Sequence, residues 1–257
     1  MEHSSINRIT RAKRALGFMH KGNLGIFFRE IRKRWNSTSL TIGLQRDLHD
    51  PIIPPEAKIP LNIRKLHAAD VEHLMGYGQL KKTDVQLYHH QLDTLDAFFA
   101  NCFVAENIHG EACFMQFLIG PQQNEKIQKH FKGVFPRLGT EEGLLTGAYL
   151  NPLYRDLGIM PVAIARIAEK AKYFGAQWVL TFVDKENIDS LKSYHRAGFT
   201  PYIMRYDRWF LFRMTTYFEP LDDDIVAEYD EIMGIPSDEE AKYSNSIRKA
   251  ALVNGSI

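Results

Sequence analysis

Cysteine is almost absent. Cys102 and Cys113 are the two in 257 residues, which excludes a disulfide-stapled scaffold, leaves at most one bridge and makes a reducing compartment the expectation. No apolar run approaches the roughly 20 residues that a membrane-crossing helix needs; stretches such as 97–105 and 114–119 are short or interrupted. The chain reaches Arg11, Lys13 and Arg14 before any long apolar segment, so a secretory leader is not expected and the localisation expected is cytoplasmic. Metal-ligand spacing is missing as well. His89, His90 and His195 have no third or fourth ligand at a recognisable interval, and His-Glu-x-x-His does not occur, so no metal is expected. Scattered Ser, His and Asp do not make a catalytic triad. Net charge is nearly absent too: 32 basic and 31 acidic residues give +1, which argues against a whole-chain polycation wrapped around nucleic acid.

What is present is a globular composition, 45% hydrophobic and 25% charged, on a length that allows one or two domains of about 150 residues. The near-zero charge hides a gradient. Residues 1–58 carry 11 Lys/Arg and 5 Asp/Glu, whereas residues 218–257 carry 3 and 10. Three parts are expected: a basic N-terminal extension (1–58) with helical segments, a domain over 59–217, and an acidic C-terminal extension (218–257). Ile26, Phe27, Ile31 and Trp35 share a helical face amid Arg29, Arg32, Lys33 and Arg34. That spacing suits a docked appendage, or peripheral contact with an acidic polymer or the inner membrane face. Asp50-Pro51-Ile52-Ile53-Pro54-Pro55 reads as a linker, because proline removes amide donors and holds its predecessor extended.

From Ile59 the pattern alternates in short elements. Strands are expected at 59–65, 98–105, 111–119, 143–150, 178–183, 199–202 and 209–214, and helices at 67–75, 85–97, 161–174 and 187–197. Cys102 and Cys113 fall inside strands as packing residues. Pro161 suits the first turn of its helix, and Gly175 and Gly198 suit helix ends.

The stretch Leu150-Asn151-Pro152-Leu153-Tyr154-Arg155-Asp156-Leu157-Gly158-Ile159-Met160, followed by Asn187-Ile188-Asp189-Ser190-Leu191-Lys192-Ser193-Tyr194-His195-Arg196-Ala197-Gly198-Phe199, resembles the GNAT superfamily of acyl-coenzyme A N-acyltransferases. The resemblance extends over Ile59–Met214 in element order. It implies an α/β (α+β) fold with a mixed, mostly antiparallel sheet, flanking helices and a splayed cofactor slot. It implies acetyl-CoA or another acyl-CoA as cofactor, bound through Arg155, Asp156, Leu157, Gly158, Ile159 and Met160. Here Arg155 and Gly158 match the Arg/Gln-x-x-Gly-x-Gly/Ala loop, while Asp156 and Met160 depart from its usual pattern. Backbone amides at a helix start suit a pyrophosphate.

Carried over in the same way, Asn187 and Ser190 lie along the pantetheine arm, amides on Ala148 to Leu150 polarise the thioester carbonyl, and Tyr194 protonates the leaving thiolate. Glu142 is the chosen general base, with Glu106 and Glu141 as other candidates by topology. The expected activity is N-acetyl transfer to an amine-bearing small molecule or saccharide intermediate. The alternatives are a longer-chain N-acyl amino-acid or signal-lipid synthase, and a non-catalytic acyl-CoA-binding scaffold. Homo-oligomerisation stays open.

Overall fold

Eight consecutive residues, Ala112–Ile119, are buried on both faces, as expected of a strand covered by layers on either side. The computed structural model describes residues 34–53, 55–75 and 93–235. Its strands are β1 (Asn36–Asp47), β2 (Asn62–Lys65), β3 (Cys102–Glu106), β4 (Ala112–Ile119), β5 (Glu142–Leu150), β6 (Trp178–Asp184), β7 (Thr200–Phe210) and β8 (Arg213–Glu219). They form one sheet in the order β2-β3-β4-β5-β6-β1-β7-β8. Pairing is antiparallel for β2–β3, β3–β4, β4–β5 and β1–β6, and parallel for β5–β6. The helices are α1 (Ala68–Met75), α2 (Asn124–Phe131), α3 (Ile159–Glu169), α4 (Ile188–Arg196) and α5 (Asp223–Met233), with a further helical segment over 93–98. This is the mixed, mostly antiparallel α/β architecture expected.

The chain divides into two compact units, Leu40–Arg205 with Phe218–Ile257, and Met1–Ser39 with Tyr206–Tyr217. In the larger unit, alternate β4 residues face opposite cores. Phe114 and Leu118 pack with Ile164, Ile167 and Leu191 of α3 and α4. Met115, Phe117 and Ile119 pack with Leu74 of α1, Phe98 and Ile127 of α2. Each such side chain contributes about 1.5–3 kcal/mol on burial. Eight of the eleven residues of α3 are buried, which is why its sequence is apolar nearly all round. Cys102 and Cys113 are free, buried thiols on β3 and β4, pushed up by burial to about 12 and about 11.

The sheet takes in residues on both sides of the 59–217 segment. β1, inside the expected basic extension, lies between β6 and β7. Its Thr41, Gln45 and Arg46 are buried, so its polar face hid an interior strand. The buried cation of Arg46 donates to Ala165 O (3.1 Å) and pairs with Glu169. At the other end α5 begins inside the acidic run, Asp222 capping it through Asp224 N–H (2.9 Å), and its Tyr229 is 2% exposed in the core.

Other boundaries move. β2 is shorter than 59–65 because it is limited to its pairing with β3. α3 starts two residues before Pro161 and gives way to a 3-10 turn over Lys170–Phe174. The expected strand 209–214 is broken by a turn at Leu211-Phe212. The first part (85–92) of the helix expected over 85–97, and most of the basic helical segment, through residue 33, lie outside the described residues.

Candidate active site

β5 and β6 are paired only at Glu142↔Trp178, Gly143↔Val179 and Leu144↔Leu180. Beyond those three pairs the strands part. The cause is visible on the other side of β5: Met115 faces Tyr149 and Phe117 faces Thr146, so two steps along β4 match three along β5. The extra residue is a bulge at Gly147-Ala148 opposite Gln116, and Gly147 sits at φ +63°, where a side chain would be strained. A bulge bends its strand and leaves one residue outside the ladder. The result is a slot of about 260 Å³, bounded by Thr146, Gly147 and Ala148 on one side and Thr181, Val183 and Asp184 on the other.

α4 closes this slot, contributing Asn187, Ser190 and Tyr194. Asn187 acts as the N-cap, its side chain accepting from Ser190 N–H at 3.2 Å. That bond fixes the helix start against the slot. Tyr194 is 4% exposed, and Gln116 Nε2 donates to its hydroxyl oxygen at 2.6 Å. Burial pushes the phenol up to about 12, while hydrogen bonding to Thr181 and Gln116 partly offsets the rise. At neutral pH it is a proton donor and never a base.

The loop after β5 is anchored before it reaches α3. Asn151 donates to His73 O (3.2 Å) and accepts from Leu153 N–H (3.0 Å). The Tyr154 hydroxyl donates to Glu111 (2.8 Å) and accepts from Asn107 (3.2 Å), tying the loop to the β3–β4 turn. Arg155 and Asp156 are exposed, Asp156 at φ +62°. Gly158 is the N-cap of α3 at φ +69°, with no side-chain cap. A Cβ there would meet Glu56 O at 2.9 Å, so the position demands glycine twice over. Ile159 is buried, while Leu157 and Met160 pack against the core. Met160 therefore fills apolar space, and the departure from a small residue is explained by packing. Because Pro161 is the third helical residue, the free donors at the helix start narrow to Gly158, Ile159 and Met160.

Of the carried-over residues, the structure brings Ala148, Asn187, Ser190 and Tyr194 together at the slot. Leu150 is back in register opposite Phe114 and packs on the core; the residue left outside the ladder lies earlier, at the Gly147-Ala148 bulge. Glu142 lies at the paired end of β5 and accepts from Gly139 N–H (2.8 Å); it is not in the slot lining. Glu106 is held by Arg64 and by Asn62 (2.8 Å), and Glu141 by Gln177 (2.6 Å). Sequence reasoning missed Gln116, Gly147, Thr181 and the far wall of Thr94, Phe131 and Phe182. The signal for the first was a lone amide in an apolar run, and for the second a glycine inside a strand. Among the described residues no group of three His, Cys, Asp or Glu could hold a metal ion, and no helix is long and apolar enough to cross a membrane.

The parting of two parallel strands over a bulge, with a glycine-entered helix following one strand and a tyrosine from the next helix in the opening, makes the fold GNAT-like, as the sequence resemblance implied. Neither a family model nor a curated protein sequence matches the chain. Solved structures similar to it include a GCN5-related N-acetyltransferase from Sphaerobacter thermophilus, at 13% identity and TM-score 0.43 over 70% of this chain and 55% of that one. A glucosamine N-acetyltransferase region of a fungal multi-domain GH3 β-N-acetylglucosaminidase aligns at 17% identity and TM-score 0.48 over 76% and 22%. A tandem GNAT protein from the clavulanic acid biosynthesis pathway aligns at 13% and 0.42 over 77% and 59%. The chain thus spans less than two thirds of the length of each.

Proposed function

We propose that the protein is an acyl-coenzyme A dependent N-acyltransferase acting on an amine-bearing small molecule or saccharide. The observation that carries this reading is the buried Tyr194 hydroxyl, held by Gln116 in the wall of the slot opposite the Gly147-Ala148 bulge. The chain's residues fit an acyl-CoA: the slot has room for a thin arm, and the N-cap of α3 carries no competing side chain. Asn187, Ser190 and Ala148 would border the arm, and the amides from Gly158 to Met160 would receive the pyrophosphate. Bound acyl-CoA supplies an activated acyl group and, on transfer, a free thiol.

The chain's own part is positional and electrostatic. The bulge offers a backbone amide released from the ladder to a carbonyl oxygen gaining charge. Tyr194 keeps its proton at Oη through neutral and mildly alkaline pH, because its folded value is about 12, and presents it to a leaving sulfur. The acceptor amine must arrive neutral, and its surplus proton leaves to water.

A thiol-release assay with acetyl-CoA and a panel of amines tests this. Turnover is expected, with kcat rising as the acceptor amine deprotonates and no falling limb from Tyr194 below about pH 11. Tyr194→Phe should lower kcat about 100-fold with little change in KM for acyl-CoA. Failure of the chain to bind any acyl-CoA overturns the proposal; binding without turnover of any amine favours the scaffold alternative.

A longer acyl chain is the second reading, motivated by the far wall. Phe131 and Phe182 line the slot. Behind them Phe131 stacks on Phe98, and Phe135 meets Phe131 edge-on at 4.8 Å. An apolar wall of this kind suits an alkyl chain, and a rise in kcat/KM from acetyl to longer thioesters would select it.

A further inference from the structure

The Leu211-Phe212 turn is an expensive one. It joins β7 to β8 through two residues that are both at positive φ, +47° and +64°. This is the type I′ pattern, which Asn-Gly serves without strain and large side chains do not. Around the turn the apolar side chains are left in water: Trp35 is 55% exposed, Phe210 57%, Leu211 49% and Phe212 53%. Strain and exposure together are opposite to what folding alone selects at a hairpin end.

The cluster is held together within its own unit. Leu211 N–H donates to Trp35 O (3.0 Å) and Phe212 N–H to Arg34 O (2.9 Å), while Trp35 and Phe212 meet edge-on at 6.0 Å. Arg34 lies 5.6 Å from the Trp209 ring centre, and Arg208 and Arg213 are exposed on the two strands. The sequence of this unit, residues 1–39 and 206–217, holds 11 Lys/Arg against 3 Asp/Glu, a formal +8.

We propose that this hairpin end is a wedge that enters the surface of an anionic lipid bilayer, its aromatic and aliphatic side chains in the interfacial layer and its arginines on the phosphates. The geometry favours a bilayer over a protein face. Side chains alternate across a strand, so Phe210 belongs to one face of the ribbon and Trp209 and Met214 to the other. A flat partner covers one face, whereas a lipid layer surrounds an inserted end. Leu211 and Met214 also give stacking nucleobases nothing to stack on, whereas acyl chains accept them. Aromatic rings with basic collars are the composition that partitions into membrane interfaces.

The test uses the full chain with phosphatidylcholine vesicles, with and without about one-third phosphatidylserine. Co-sedimentation is expected with the anionic vesicles and not with the neutral ones. It should be accompanied by a blue shift of tryptophan emission, since Trp35 and Trp209 are two of the three tryptophans. The double substitution Leu211→Asn/Phe212→Gly relaxes the turn, so its Tm should rise while binding to anionic vesicles falls about tenfold; Phe210→Ser is the second variant, with the same loss expected. Three results overturn the proposal. One is no binding by the wild type, and another is equal binding by both variants. The third is that the same substitutions abolish a dimer in lipid-free solution or retention on a single-stranded RNA instead.

Discussion

Gln116 is 0% exposed in the middle of an otherwise apolar strand, and its side-chain amide nitrogen donates to Tyr194. An amide placed there costs stability unless it is bonded. Donating to the phenol oxygen leaves the tyrosine's single hydrogen to be given elsewhere, which a general acid requires. Gln116→Leu keeps the volume and removes the donor. It should raise the Tyr194 pKa further, because this bond lowers it, and cut kcat about tenfold at unchanged acyl-CoA affinity. A tyrosine Raman doublet, read as wild type minus Tyr194→Phe, would report the lost donor without any turnover; an unaltered doublet would sink the assignment. Tyr194 was legible in sequence through its helix and the Gly198-Phe199 ending. Gln116 was legible only as an anomaly, because nothing local says which residue 78 positions away will use it.

At the scale of elements, the slot is a matter of register. The strands themselves could be read from their composition, but the count of two residues on β4 against three on β5 depends on how both pack, and a bulge leaves no mark in sequence beyond its glycine. Gly147→Val should cost about 2 kcal/mol, from positive φ and a β-branched side chain at the bulge. It should also weaken acyl-CoA binding, since the side chain is added at a residue that lines the slot. Thermal unfolding and calorimetric titration check the two halves separately. Polarising amides were expected from Ala148 to Leu150, and the register pairs Leu150 with Phe114 while it leaves Gly147-Ala148 at the bulge. The hairpin after β7 was misread for a different reason. Trp209 to Met214 carries no Gly, Asn or Pro, so the usual turn vocabulary gave no signal.

For the whole molecule, the boundary at Ile59 followed a real feature, the proline-rich stretch at 51–55, and still cut the sheet. A Pro-rich connection marks a change of direction, and here it lies between strands of one sheet. β1 makes seven register pairs with β6, Thr41↔Asp184 through Asp47↔Trp178, and buries Ile42 and Leu44 at 2% and 0% exposure. A chain beginning at Ile59 should therefore lose cooperative unfolding altogether, whereas one ending at Ile235 should keep it. Circular dichroism melts of the two truncations distinguish this from a detachable leader.

The same strand has a consequence for how the chain is made. About 130 residues of chain must follow β1 before β6 exists to pair with it, some 7–26 s at synthesis rates of about 5–20 residues per second. During that interval an edge of Leu, Ile and Thr has no native partner, next to a strongly cationic stretch. Loop closure over such a span is slow even once synthesis ends. The nascent protein should thus depend on holdase chaperones bound at β1, and its yield should fall most steeply when translation of residues 48–178 is slowed.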